Sequence, residues 1–139
     1  MDTTVAKFRF QGFTVRKSSF EIKDSSNLAP EMDLKLELKG EFIPAECHFI
    51  LYMKVSVKNE NTTVKATADT VAHFEFDREC KAEELPGYFF INAPAILFPY
   101  VRAYIATLST LSGLPNPIMI PTLNLTKFAK QLENNTVEK

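Results

Sequence analysis

The chain has no tryptophan, two cysteines, two histidines and four glycines in 139 residues. The glycines, Gly12, Gly40, Gly87 and Gly113, stand alone. None opens a phosphate-cradling loop, which argues against use of ATP or a dinucleotide. The net charge is -1, with no clustered positive surface of the kind that phosphate backbones require, so nucleic acid is not an expected partner. The opening MDTTVAKFRF lacks a basic-then-apolar leader, and a cytoplasmic location is expected. Thiols stay reduced there, so Cys47 and Cys80 are expected as free, buried thiols.

Catalytic chemistry is equally thin. The only metal-ligating candidates beyond scattered carboxylates are Cys47, His48, His73 and Cys80. Neighbouring residues of a strand point to opposite faces, so Cys47 and His48 do not converge on one ion, and no metal site is expected. Nothing supplies an oxyanion hole or an orienting third group for a Cys-His nucleophile. The expectation is a protein that is not an enzyme and needs no cofactor.

Charge is also missing from one long stretch. Between Glu84 and Lys127 the only formal charge is Arg102, in a chain that is 24% charged. At its centre Ile96, Leu97, Tyr100, Val101, Tyr104, Ile105, Leu108 and Leu111 recur at spacings of three and four, which predicts a helix over Ala95 to Leu111. Pro99 would sit in the first turn, Gly113 would stop the helix, and Pro115, Pro117 and Pro121 forbid continuation. The remaining positions are Ala103, Ala106, Thr107, Ser109 and Thr110 rather than lysine or glutamate, so protein is expected on both sides of this helix. A core helix with a merely polar outer face stays open. Insertion into a membrane is not expected, because prolines, a glycine and Arg102 interrupt the segment before the ~20 apolar residues a bilayer needs.

What precedes the helix reads as strands. Residues Val5 to Val15 alternate with a change of phase at Gly12, the mark of a bulge, and Ser18 to Ile22 extend that strand. A loop over the Ser25 to Pro30 region crosses to Met32, Leu34, Leu36 and Leu38, which alternate with charged residues up to Gly40. Phe49, Leu51, Met53, Val55 and Val57 share one face of a third strand, and a turn at Asn59 to Asn61 leads into a long fourth strand, Thr62 to Phe76. Small residues at Ala66, Ala68 and Ala72 leave room for close packing. A short closing helix is expected with Thr126 as its cap and Phe128 and Leu132 on one face, and Asn134 to Lys139 are expected to fray. The layout is α+β, a four-stranded antiparallel sheet with a long and a short C-terminal helix on one face, in a single domain over residues 1–139.

Apolar residues remain that these elements do not obviously hide. They are Phe42 and Ile43, then Tyr88, Phe89, Phe90 and Ile91, then the proline-rich run Leu114 to Leu125 with Leu114, Ile118, Met119, Ile120 and Leu123. Such loops beside a sheet are candidates for holding extended peptides, and simple packing on the core is the equal alternative.

The run Leu97-Phe98-Pro99-Tyr100-Val101-Arg102, then Gly113-Leu114-Pro115, then Met119-Ile120-Pro121 before Asn124 and Phe128, resembles the C-terminal half of the SecB family of bacterial export chaperones. Phe8-Arg9-Phe10 through Ser19-Phe20-Glu21 looks like the family's first strand. The resemblance implies a homotetramer, a dimer of dimers with its long helices between sheets, and so places Tyr100, Val101, Tyr104, Ile105 and Leu108 at an oligomer interface. It implies an ATP-independent holdase for unfolded polypeptides, with groove walls at Ile22 to Met32 and Leu114 to Leu125. In export the family's acidic sheet face docks the motor SecA. The matching positions here are Lys17 and Thr67, with only Glu21 keeping its charge, and the family's acidic tail is missing. A relative that guards an antitoxin in a toxin-antitoxin system fits that departure. The competing reading is a non-enzymatic scaffold or binding domain of the same fold with one dedicated partner.

Overall fold

Alternation of apolar and polar residues lays down a sheet whose two faces differ completely. The computed structural model describes residues 7–24, 31–120 and 123–139. In order, the elements are β1 (Phe8–Ile22), β2 (Met32–Ile43), β3 (His48–Asn59), β4 (Val64–Phe76), α1 (Phe89–Leu111), α2 (Ala129–Asn134) and β5 (Thr136–Glu138). The sheet order is β1-β4-β3-β2-β5. The first four strands pair antiparallel, as expected, while β5 adds a short parallel strand on β2. The segment expected to fray therefore forms the fifth strand. The crossover at Ser25 to Pro30, residues Val5 and Ala6, and Pro121 lie outside the described residues.

On one face Phe49, Leu51, Met53, Val55 and Val57 of β3 stand beside Phe74, Ala72, Thr70, Ala68 and Ala66 of β4, and all are buried. Phe42, Leu38 and Leu36 continue the layer on β2. β1 keeps its aromatic residues on this layer by two register shifts, one between Phe10 and Gly12 and one between Val15 and Lys17. Gly12 has φ +112°, a conformation that side chains rarely adopt, which explains the phase change read from the sequence. After the first shift Phe13 faces Ala72, and after the second Phe20 faces Ala66.

The turn between β3 and β4 is held by Asn59. Its buried side chain accepts from the Val64 N–H at 3.0 Å and donates to Thr63 Oγ1 at 2.8 Å. It thereby satisfies main-chain groups that a tight turn exposes.

α1 begins at Phe89 rather than at Ala95, so Pro94 and Pro99 lie inside it and Pro99 is not in the first turn. The reason is an aromatic cluster. The Phe89 ring lies 4.8 Å from Phe8, 4.7 Å from Phe49, 5.0 Å from Phe76 and 5.6 Å from Phe74, centroid to centroid. Each such pair adds about 0.5–1.5 kcal/mol beyond burial, enough to carry a helix through a proline that removes one hydrogen bond. With 23 residues α1 is, by length and composition, long and apolar enough to cross a bilayer, so the expected interruption by prolines does not occur. Its Ala93, Leu97, Val101 and Ile105 side lies in the core.

The helix ends as expected at Gly113, φ +96°. There the Leu114 N–H donates to the Ser109 carbonyl at 3.2 Å and the Gly113 N–H to the Thr110 carbonyl at 3.1 Å. The closing helix starts with a 3-10 turn, Leu125–Phe128, capped by Asn124 rather than Thr126: the Asn124 side chain accepts from the Thr126 N–H at 3.1 Å. Leu132 is buried beneath α2.

Candidate polypeptide-binding surfaces

Three surfaces follow from this arrangement. The first is the outer side of α1, where Ala95, Pro99, Tyr100, Ala103, Thr107, Thr110 and Leu111 are exposed and none is charged. Tyr100 is 48% exposed, although its ring lies 5.0 Å from Phe13 and 5.8 Å from Phe10; Leu111 is 81% exposed. A solvated helix normally carries charge on this side. Of the residues expected at an oligomer interface, Tyr100 is exposed, Tyr104 and Leu108 are half-buried, and Val101 and Ile105 are fully covered by the chain's own sheet. Tyr104 also reaches Ser18 Oγ with its hydroxyl at 2.8 Å, tying the helix to β1.

The second surface lies between α1 and the closing segment. The loop after Gly113 is anchored by Ser109, which is buried. Its hydroxyl accepts from the Ile118 N–H at 2.8 Å and donates to the Ala106 carbonyl at 2.8 Å. Anchoring turns Leu114, Ile118 and Ile120 inward and leaves Met119 69% exposed. Next to this loop a cleft of about 380 Å³ is lined by Ile91, Ala95, Phe98, Pro99 and Arg102 of α1 and by Leu123, Asn124, Leu125 and Thr126. An apolar cleft with one cation can take a varied apolar chain and still offer a charge-assisted contact to a carbonyl or carboxylate.

The third is the polar face of the sheet. His48 and His73 sit side by side there, His48 Nε2 to His73 Nδ1 at 2.9 Å. Burial, and then the neighbouring His48, lower the His73 imidazole below its ordinary value. Arg16 and Lys39 flank the Tyr52 ring at 5.1 and 5.4 Å. Burial, and then Glu41, raise the Tyr52 hydroxyl. Lys17 pairs across β1 and β4 with Asp69, Ser19 with Thr67 and Glu21 with Lys65, so the three family docking positions do share this face. Here they carry mixed charge. Cys47 occupies a left-handed turn before β3, φ 53°, and packs against the core, apart from His48. Cys80 is a free thiol whose pKa is raised by burial and then by Glu84. Among the described residues no group of three or more His, Cys, Asp or Glu could hold a metal ion.

The remaining peptide-binding candidates separate by burial. Phe42 and Phe89 are fully buried and Phe90, Leu114, Ile118 and Ile120 nearly so; they build the core beneath the surface rather than the surface itself. Ile43 and Leu123 are half-buried, while Tyr88 and Met119 are exposed. The structure thus brings Leu123 to the cleft and puts Met119 on the loop beside it. Sequence reasoning had Ile91 in the apolar run from Tyr88 to Ile91 but missed Ala95, Phe98, Pro99 and Arg102 of the expected helix as cleft residues. Arg102, the one charge in an otherwise uncharged stretch, was the signal available.

Comparison with known proteins agrees with this architecture. The family model for SecB, "Preprotein translocase subunit SecB", matches residues 2–135. The "Protein-export protein SecB" of Anaplasma phagocytophilum (strain HZ) is 26% identical, with 93% of this chain and 95% of its own length covered. An uncharacterized protein of Methanocaldococcus jannaschii is 29% identical, covering 90% of this chain and 84% of its own length. Among solved structures, the Mycobacterium tuberculosis Rv1957 SecB-like chaperone in complex with a ChAD peptide from the Rv1956 HigA1 antitoxin shares the fold. Its TM-score is 0.67 at 20% identity, over 84% of this chain and 89% of that one. A protein of unknown function from Streptococcus agalactiae shares it more loosely, at TM-score 0.53 and 6% identity. Matched from residue 2 to residue 135, with the sheet and both C-terminal helices in place, the chain belongs to the SecB family.

Proposed function

We propose that this chain is an ATP-independent holdase, a single functional unit over residues 1–139 that binds non-native polypeptides in the cytoplasm as a homotetramer. The observation that carries the reading is the uncharged surface left exposed along α1 together with the largely apolar cleft beside it, whose one charge is Arg102, in a member of the SecB family. Apolar surface of this extent is costly in water and needs a partner. The regular helix face suits a second copy of the chain, and the irregular loop and cleft suit clients of no fixed sequence. Many weak apolar contacts also let a client leave for an acceptor without any single strong bond to break. Binding, not covalent chemistry, is the activity proposed.

The destination of the client divides into export and antitoxin guarding. Two observations favour the second: Lys17 and Thr67 stand where the export resemblance implies acidic motor contacts, and a solved structure of the same fold holds an antitoxin peptide. A reversed charge at a docking position lowers affinity, so SecA is the weaker of the two expected partners.

The test is light scattering of a chemically unfolded protein diluted into buffer with and without this chain, no nucleotide added. Suppression at near-stoichiometric tetramer is expected. Unchanged aggregation of several unrelated clients would contradict a general holdase and shift the reading to one dedicated partner.

A further inference from the structure

We propose that Cys47 and Cys80 form a reversible disulfide, a redox-controlled tie between the start of β3 and the segment that leads into α1. The proposal is independent of the holdase reading and concerns two side chains that reading does not use.

The two cysteines are far apart in sequence, and the pairing of β3 with β4 brings them together. His48 pairs with Glu75, and one step beyond that pair the Phe76 N–H donates to the Cys47 carbonyl at 2.7 Å. Cys47 is thereby seated against the end of β4. The chain then bends at Asp77 and Arg78, and Cys80 follows two residues later. Both side chains are half-buried free thiols, and both pack on the same core cluster. Burial and then Glu84 raise the Cys80 thiol, and Cys47 acts on it in the same direction, so the two sulfurs share one electrostatic neighbourhood.

The backbone at Cys47 singles it out. Its φ of 53° and ψ of 38° are left-handed, a conformation that residues other than glycine rarely adopt. Among the described residues the only other non-glycine with positive φ is Thr62, in the turn between β3 and β4 where such geometry is ordinary. The Cys47 N–H donates to the Pro44 carbonyl at 3.0 Å, so its amide and its carbonyl are both held. A strained residue fixed in this way aims its side chain in one direction, and such strain gathers at functional positions.

The oxidant is a low-molecular-weight disulfide such as oxidised glutathione, which half-buried thiols can reach. One cysteine thiolate attacks it and releases one glutathione, leaving a mixed disulfide. The other cysteine thiolate attacks that bond and releases the second glutathione. One S–S bond breaks and one forms, the cysteines give two electrons to the added disulfide, and their two protons end on the released thiols. The new bond ties down the segment with the 3-10 turn Ala82–Glu84 and the buried Leu85, just before Phe89 enters its aromatic cluster. In a compartment that keeps most thiols reduced, a pair of this kind reports oxidation and is reset by reduction.

The test uses the full chain, equilibrated in buffers of reduced and oxidised glutathione, quenched with acid and labelled with maleimide for mass spectrometry. The parent should lose both thiols together, as a single chain carrying no glutathione, and its thermal midpoint should rise by about 5–10 °C. At fixed reduced glutathione, half-oxidation of the folded chain should need at least about tenfold less oxidised glutathione than half-oxidation of the chain held unfolded in urea. Cys47→Ser and Cys80→Ser should each take up glutathione instead, with no rise in midpoint. Two free thiols throughout the titration, a bond that forms only between chains, or equal oxidation of folded and unfolded chains would overturn the pair.

Discussion

Two sparsely charged surfaces of this molecule, the second with Arg102 as its one charge, are made in opposite ways. The outer face of α1 is regular, a row of alanine, threonine and tyrosine on a helix whose other side is locked into the sheet by Leu97, Val101 and Ile105. The cleft beside it is irregular, walled by α1 on one side and on the other by Leu123 to Thr126, where an extended stretch enters the 3-10 turn at Leu125. A regular face presents one shape and suits a partner that repeats it, such as another copy. The short wall from Leu123 to Thr126, next to a proline-rich loop that exposes Met119, presents adaptable apolar surface and suits partners that differ. Lack of charge alone does not reveal what a surface is for; its regularity does.

The largest change expected is one that destroys the difference. Phe89→Ala removes the hub of five aromatic contacts under the start of α1 and should cost about 3–5 kcal/mol in denaturant unfolding, loosening helix and cleft together. Ala103→Glu puts a charge in the middle of the exposed helix face. It should leave unfolding within about 0.5 kcal/mol of the parent while the tetramer dissociates in sedimentation, and an unchanged mass would show that this face is not the interface. Ser109→Ala acts on the other surface. It leaves the Ile118 N–H buried without its acceptor, costs about 1–3 kcal/mol, and should weaken client binding while the oligomer persists.

The smallest effect is a pH dependence away from both surfaces. His73 is held below 6.5, so the unfolded chain takes up this proton before the folded one does. Its contribution to stability is complete above about 6.5 and is lost as pH falls through that window to the lowered folded value. His73→Gln should flatten this part of a stability profile measured against pH, and only slightly, because the site is partly solvated.

The sheet was legible because its signals are local. Alternation in β2 and β3, the phase change at Gly12 and the stop at Gly113 each sit within a few residues of what they determine. The start of α1 was not, because Tyr88-Phe89-Phe90-Ile91 followed by Pro94 reads as a linker. Only the packing of Phe89 among four rings brought by β1, β3 and β4 makes it helical. For the same reason Phe42 and Phe89 looked like spare surface and are core. β5 left no pattern either, since three residues carry no period and its place depends on amides of Gln131 and Asn135 that meet Leu38 across 93 or more positions of sequence. At the cleft, Ile91, Leu123 and the neighbouring Met119 could be read from the apolar runs; Ala95, Phe98, Pro99 and Arg102 could not, because which side of the helix meets Leu123 to Thr126 is decided by packing between segments distant in sequence.

The division of labour between the two surfaces can be measured directly by binding an unfolded protein that carries a paramagnetic label and recording which amides of this chain lose signal. The account predicts losses around Ile91, Phe98, Met119 and Leu123, with Ala103, Thr107 and Thr110 unaffected behind the oligomer contact. Losses concentrated on the outer face of α1, with the cleft silent, would contradict it.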